Sequence, residues 1–288
     1  MKIFDCHIHI FTAKVISNVS KKMQMIQRLK LQTEGAARRI DPSILEKEML
    51  AAGVEGALML PTASVNGVKK TNCACVKMAS QFKWLMTAGT LHPDYLHNEQ
   101  ELVNFRLNSV RVIKLCSFSQ GFTLDASPTL KMFDAIQAAN ENSIVPFAVM
   151  LDTLQGADYY FGTLPAYNTT PKQLGYLADR YPGINFIGAH MGGLNGTVDE
   201  ICRYLTPRPN LYLDTSNAAH TLNKKDFSRI LELHGPRHIL FGTDWPWFTH
   251  ENEVKHIDGL LDFVGFSEKE KSEVFGANLF ALLGIEQL

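Results

Sequence analysis

Neither sign of charge dominates this sequence. Lys and Arg number 28 against 29 Asp and Glu, a formal net charge of −1, so nothing in the balance draws the chain to nucleic acid or to an anionic membrane. Cysteine is scarce and odd in number, five in 288 residues, which excludes a disulfide scaffold. Cys73-Ala-Cys75 is too tight for a zinc-finger pair, and reduced thiols in the cytoplasm are expected. No stretch approaches the roughly 18 apolar residues of a membrane span. Asp5 and His7 interrupt any signal-peptide core at the amino terminus. A Gly-x-Gly-x-x-Gly loop after the first strand is also missing, which argues against an open dinucleotide-binding sheet. A cytoplasmic protein is the expectation, with a small molecule rather than nucleic acid or membrane as its partner.

What is there is alternation. Short apolar runs at 2–10, 56–61, 84–90, 110–116, 144–151, 184–190, 211–214 and 238–242 read as eight strands, each followed by a helical segment. Near-continuous apolar strands mark a parallel sheet covered on both faces. Eight such units in under 300 residues predict a single-domain (β/α)₈ barrel over residues 1–288. Asp41-Pro42, Ser127-Pro128 and Thr170-Pro171 read as helix starts, with a capping side chain before a proline in the first turn. Residues 11–40 are far longer than a usual βα connection of about two to six residues. They are expected to form a loop or helical lid.

In such barrels the chemistry lies at the carboxyl ends of the strands. The polar residues expected there are His7, His9, His92, Lys114, Cys116, Asp152, His190, Asp214, Ser216 and Asp244. His7 and His9 are two apart on one strand and so share a face, where two imidazoles can hold one divalent cation. Asp5 stands behind them. His220, His234, His250 and His256 fall in helices or loops and are expected at the surface.

Asp5-Cys-His-Ile-His9, Gly188-Ala-His-Met-Gly-Gly193 and Phe241-Gly-Thr-Asp-Trp-Pro246, in that order, resemble the amidohydrolase superfamily. The closest branch is the one that includes aminocarboxymuconate semialdehyde decarboxylase and γ-resorcylate decarboxylase. The resemblance implies that His7, His9 and Asp244 bind one divalent metal, zinc first and manganese second. It implies that His190 contacts substrate or assists proton transfer, and it makes a homodimer the expected assembly. Relatives usually carry a metal-binding histidine at the end of the fifth strand, where this chain has Met150. A thioether suits hard cations poorly, and Asp152, two residues on, is the substitute.

The expected function is a metal-dependent hydrolase in which activated water attacks the carbonyl of a small carboxylated ester, lactone or amide. Asp244 would move the proton, while His190 and Lys114 stabilise the developing oxyanion. Lys114 reads equally as a partner of an anionic substrate or of Asp152, and a carbamylated, metal-bridging lysine is the lesser alternative. Lys114, His190 and Trp245 are expected at the substrate, Trp245 through the pocket wall. The rivals are non-oxidative decarboxylation of an aromatic or unsaturated acid, a metal-independent lactonase, and a barrel that only binds a ligand.

Overall fold

Strand β1 (Ile3–Ile8) is buried at every position but Phe4, as a strand covered on both faces must be. In the computed structural model, which describes residues 1–285, it is followed by β2 (Val54–Met59) and by β3 in two pieces, Leu85–Thr87 and Gly89–Thr90. Then come β4 (Val112–Leu115), β5 (Ala148–Leu151), β6 (Asn185–Gly188), β7 (Leu211–Asp214) and β8 (Ile239–Leu240). Every neighbouring pair is parallel. The ring closes between the last strand and the first: Cys6 N donates to Phe241 O at 2.8 Å and His9 N to Trp245 O at 2.7 Å. The chain is a single-domain (β/α)₈ barrel.

Inward side chains fill the barrel rather than leaving a pore. Cys6, Leu58, Ala88, Val112, Ala148, Met150, Ile187 and Leu240 form one buried cluster, to which the last helix, Asn278–Leu283, adds Leu279, Leu282 and Leu283. Met150 is fully buried there. A larger apolar shell between strands and outer helices surrounds it. Two helix starts are capped as the sequence predicts: Asp41 accepts from Ser43 N at 2.9 Å, and Thr170 forms a reciprocal capping box with Gln173. The helix Ser127–Asn140 instead begins at Ser127 itself, with Ala126 at its cap and no capping side chain.

Two elements differ from expectation. The third strand breaks because it changes partners, pairing with β2 through Leu85–Thr87 and with β4 through Gly89–Thr90. Gly89 is required at the break, since a Cβ there would lie 2.2 Å from the Phe105 ring. The helical segment that closes the barrel, 268–283, is not continuous but divided by a π-helical turn, Glu273–Ala277, where a Cβ on Gly276 would meet Lys2 O at 2.8 Å. Among the described residues no helix is long and apolar enough to cross a membrane.

Residues 11–40 are mostly helical: α1 (Ala13–Ser20), α2 (Met23–Leu29) and a 3-10 turn, Ala36–Arg38. Ile16, Val19, Met25, Leu29 and Leu31 pack on Phe118, Leu154, Leu194 and Trp247 above the strands' carboxyl ends. Lys22 Nζ donates to Tyr160 O at 2.5 Å and Arg28 Nε to Asn195 Oδ1 at 2.5 Å, which ties the segment to the opposite loops.

Candidate active site

The site begins with an irregularity in β1. Between Asp5 and Ile8 the strand takes three steps while β2 takes two, Ala57 to Met59, which is a β-bulge. Bulges re-aim side chains and free one residue from the ladder. Here the freed His7 N–H donates to Asp5 Oδ1 at 2.8 Å. Asp5 is wholly buried; it also accepts from Thr243 N at 3.1 Å and faces His250 Nε2 at 3.1 Å. Asp5 thus bolts the bulge to the loop after β8.

The bulge presents His7 and His9 together, with their Nε2 atoms 3.1 Å apart. His7 Nδ1 lies 2.9 Å from Asp214 Oδ2, and His9 Nδ1 lies 3.0 Å from Leu60 O. Each acceptor takes the Nδ1 proton, so both Nε2 atoms carry lone pairs and face one another without a hydrogen between them. Asp244 Oδ1 completes a triangle, 3.5 Å from His9 Nε2 and 3.8 Å from His7 Nε2. A point equidistant from three atoms so spaced lies about 2.0 Å from each, the bond length of zinc to imidazole nitrogen or carboxylate oxygen. The three residues therefore fit one divalent cation. Burial favours the neutral ring, lowering His7 to about 4 and His9 well below its usual value.

The other polar groups stand beside this triangle. Asp152 Oδ2 lies 3.8 Å from both Lys114 Nζ and His190 Nε2. Burial would raise Asp152, but Lys114 and His190 hold it well below the usual carboxylate range. Burial would likewise lower His190, but the carboxylates of Asp152, Asp244 and Asp214 raise it to about 9, so its ring is cationic at neutral pH. Lys114 is fully buried and its Nζ has no hydrogen-bond partner. Burial pushes Asp244 up to about 7.

Several of these positions are held in unusual backbone. His190, Met191, Asn217 and Asp244 have φ of 56°, 54°, 56° and 62°, left-handed conformations that cost a non-glycine residue about 1–2 kcal/mol. Hydrogen bonds offset this, Asp244 N donating to His7 O at 2.9 Å and His190 N to Asp214 Oδ1 at 2.9 Å.

A cavity of about 540 Å³ opens over the cluster. His9, Lys114, Asp152, His190 and Asp244 line its polar end, and Phe11, Val19, Met25, Leu29, Phe118 and Trp247 its apolar walls. Residues of the 11–40 segment thus contribute much of the wall.

The structure brings His7, His9, Lys114, Asp152, His190 and Asp244 to one place. Asp152 pairs with Lys114 and His190, and the donor atoms gathered within 4.8 Å of one another are those of His7, His9 and Asp244. Trp245 does not line the cavity: it is fully buried and its Nε1 donates to Glu48 Oε2 at 3.0 Å. The turn after β8 points Trp245 outward into the core and Trp247 onto the wall. Asp214 anchors the His7 ring and the His190 backbone, while the His190 ring is held by Ser216, whose Oγ lies 2.8 Å from Nδ1. His92 is a buried structural residue with Nε2 3.0 Å from Gln120 O. His234 and His250, expected at the surface, are buried. They lie on the inner faces of their helices, which their positions near the helix ends did not reveal.

A family model described as amidohydrolase matches residues 137–285. No curated protein matches the chain. Among solved structures, an uncharacterised TIM-barrel protein from Bordetella bronchiseptica superposes with a TM-score of 0.75 at 15% identity, covering 99% of each chain. An amidohydrolase from Burkholderia multivorans with bound zinc gives a TM-score of 0.72 at 12% identity, over 99% of this chain and 100% of its own. A dihydroxybenzoic acid decarboxylase from Polaromonas sp. JS666, with bound manganese and the inhibitor 2-nitroresorcinol, gives 0.69 at 14% identity, over 100% and 98%. At these identities the likeness is one of fold.

Proposed function

Because the chain belongs to the amidohydrolase family, we propose that it is a divalent-metal-dependent enzyme that removes the carboxyl group of a small aromatic or unsaturated acid. The observation that carries the reading is the pair of His7 and His9 lone pairs, 3.1 Å apart and facing Asp244, beside a buried Lys114 ammonium without a hydrogen-bond partner. The first group is built for a cation and the second for an anion next to it. Two imidazoles and a carboxylate suit zinc and manganese alike, and solved structures of this fold carry each.

When bound, the metal supplies Lewis acidity that orients the acid and draws electron density from it. Lys114 and the His190 imidazolium stabilise the negative charge that develops on the substrate as the carbon–carbon bond breaks. Asp152, 3.8 Å from each, keeps both cations at the cavity's polar end. The bond's electron pair stays on the substrate carbon, Asp244 gives that carbon a proton, carbon dioxide leaves, and Asp244 regains a proton from water. Asp214 and Leu60 O hold the two imidazoles in the tautomer that points Nε2 at the site. The aromatic walls exclude water and stack on a flat substrate. The dihydroxybenzoic acid decarboxylase of the same fold supports this substrate class.

Hydrolysis, the reading drawn from the sequence, has one observation on its side: three protein donors leave a position open for water, as catalytic metal sites do. The two are separated by supplying metal-loaded protein with a panel of hydroxylated benzoic acids and a matched panel of esters and lactones. Carbon dioxide release that is lost in His7→Ala supports decarboxylation. Ester or lactone cleavage with no carbon dioxide from any acid supports hydrolysis.

A further inference from the structure

A second group of metal-ligating side chains lies outside the cavity, at the start of the helix His250–Val264. Its anchor is Glu253, a carboxylate with no exposed surface. Oε1 lies 2.6 Å from His220 Nε2, and Oε2 is buried with no hydrogen-bond partner. A buried carboxylate with an unpaired oxygen is destabilising unless a cation or donor completes it. His256 is three residues on along the same helix, hence on the same face, and its ring meets that of His220 edge-on with centroids 5.2 Å apart. One donor atom from each of His220, Glu253 and His256 lies within 4.8 Å of the other two.

We propose that His220, Glu253 and His256 form a second site for a divalent transition-metal ion, independent of the one at His7, His9 and Asp244. Two imidazoles and one carboxylate are a donor set for zinc and its neighbours, and the Glu-x-x-His spacing is one that helices use to place two ligands on one ion. The 2.6 Å between His220 Nε2 and Glu253 Oε1 is a hydrogen-bond distance. A metal would take the place of that proton and need the pair to open to about 3.3 Å, the spacing of two ligands each about 2.0–2.1 Å from a tetrahedral zinc. His220 is already oriented, its ring stacked on Phe248 at 4.1 Å with 5° between planes. His256 is exposed and His220 half-buried, so the ion enters from solvent and water completes its coordination. The nearest exposed ammonium on this helix, Lys255, is paired with Glu251 at 2.7 Å.

The consequence is a clamp. His220 belongs to the short helix Ala218–Thr221 after β7, beside the cavity residue Asn217, and Phe248 follows the cavity residue Trp247. An ion on this group ties two segments of the cavity wall together from behind.

The test is metal stoichiometry on chelator-stripped protein titrated with cobalt(II), read by the visible absorption of the bound ion. Wild type is expected to bind about two equivalents, and His256→Ala about one, with the remaining spectrum that of the first site. The His7→Ala, His9→Ala double variant is expected to keep about one equivalent, which disappears when His256→Ala is added. That arm holds even if the first site's proposed chemistry fails. His256 is exposed, so its replacement leaves the fold intact, to be checked by circular dichroism. Equal cobalt binding by wild type, His256→Ala and His220→Ala would overturn the proposal, leaving Glu253 and His220 as a plain hydrogen-bonded pair.

Discussion

At the scale of single residues, the site depends on Asp214 as much as on the atoms that face the cavity. Asp214 accepts from His7 Nδ1 at 2.9 Å and from His190 N at 2.9 Å. Asp214→Asn removes the charge that fixes the His7 tautomer, so affinity for the metal should fall about 10–100-fold while the fold survives. Isothermal titration of the variant with zinc, beside its circular dichroism spectrum, checks both halves. His234 gives a different residue-level prediction. Burial lowers it to about 4, below its unfolded value of about 6.5, so the unfolded chain binds the extra proton. Its contribution is fully present above about pH 6.5 and is lost as pH falls toward about 4, by about 3 kcal/mol at most. Urea titrations at pH 7 and pH 5 should show wild type losing more stability than His234→Gln. The residues at the cavity were legible from type and position: a histidine, lysine or aspartate at the end of an apolar strand has few places to go. That Asp214 also holds the His7 ring was not, because His7 is 207 positions away and nothing local fixes which ring it holds. Trp245 and Trp247 were indistinguishable for the same reason, since the turn after β8 decides which faces the cavity.

At the scale of elements, the segment 11–40, expected to act as a lid, is the part whose function is most exposed to test. α1 and α2 turn Ile16, Val19, Met25 and Leu29 inward and leave Lys14, Lys21, Arg28 and Lys30 outside, the pattern of surface helices over an apolar face. Replacing residues 13–31 with a short glycine linker removes the wall made by Val19, Met25 and Leu29. KM should rise by about tenfold or more, since burying one such side chain is worth about 1.5–3 kcal/mol. Hydrogen exchange in α2 should slow when a substrate analogue fills the cavity; unchanged exchange and unchanged KM would make the segment a passive cover. Its length alone marked the segment in the sequence. The bulge in β1 left no such mark, because it is defined by register against β2, and a strict alternation of Asp5, His7 and His9 predicts the same sequence pattern.

At the scale of the whole molecule, the barrel gathers ligands from its two closing strands. His7 and His9 lie on or just past β1, and Asp244 just past β8, whose continuation hydrogen-bonds β1. An ion bound there cross-links the seam, and metal present at about 100 times its dissociation constant stabilises the fold by about 2.7 kcal/mol. Chelation should therefore lower Tm by about 5 °C, and His7→Ala should show no such shift if the second site is already disabled by His256→Ala. The seam also explains why the fold was readable: eight apolar strands in alternation admit few topologies, whereas the break in β3 depends on the Phe105 ring occupying the place of a Gly89 side chain.

The most direct measurement of the central claim uses aromatic acids labelled with heavy carbon in the carboxyl group, in deuterated water, with metal-loaded protein. The proposed chemistry predicts labelled carbon dioxide and a product carrying deuterium at the vacated carbon, both abolished by chelation and by His9→Ala. Acids recovered unlabelled on the ring and undiminished, alongside metal-dependent cleavage of an ester or lactone, would contradict it.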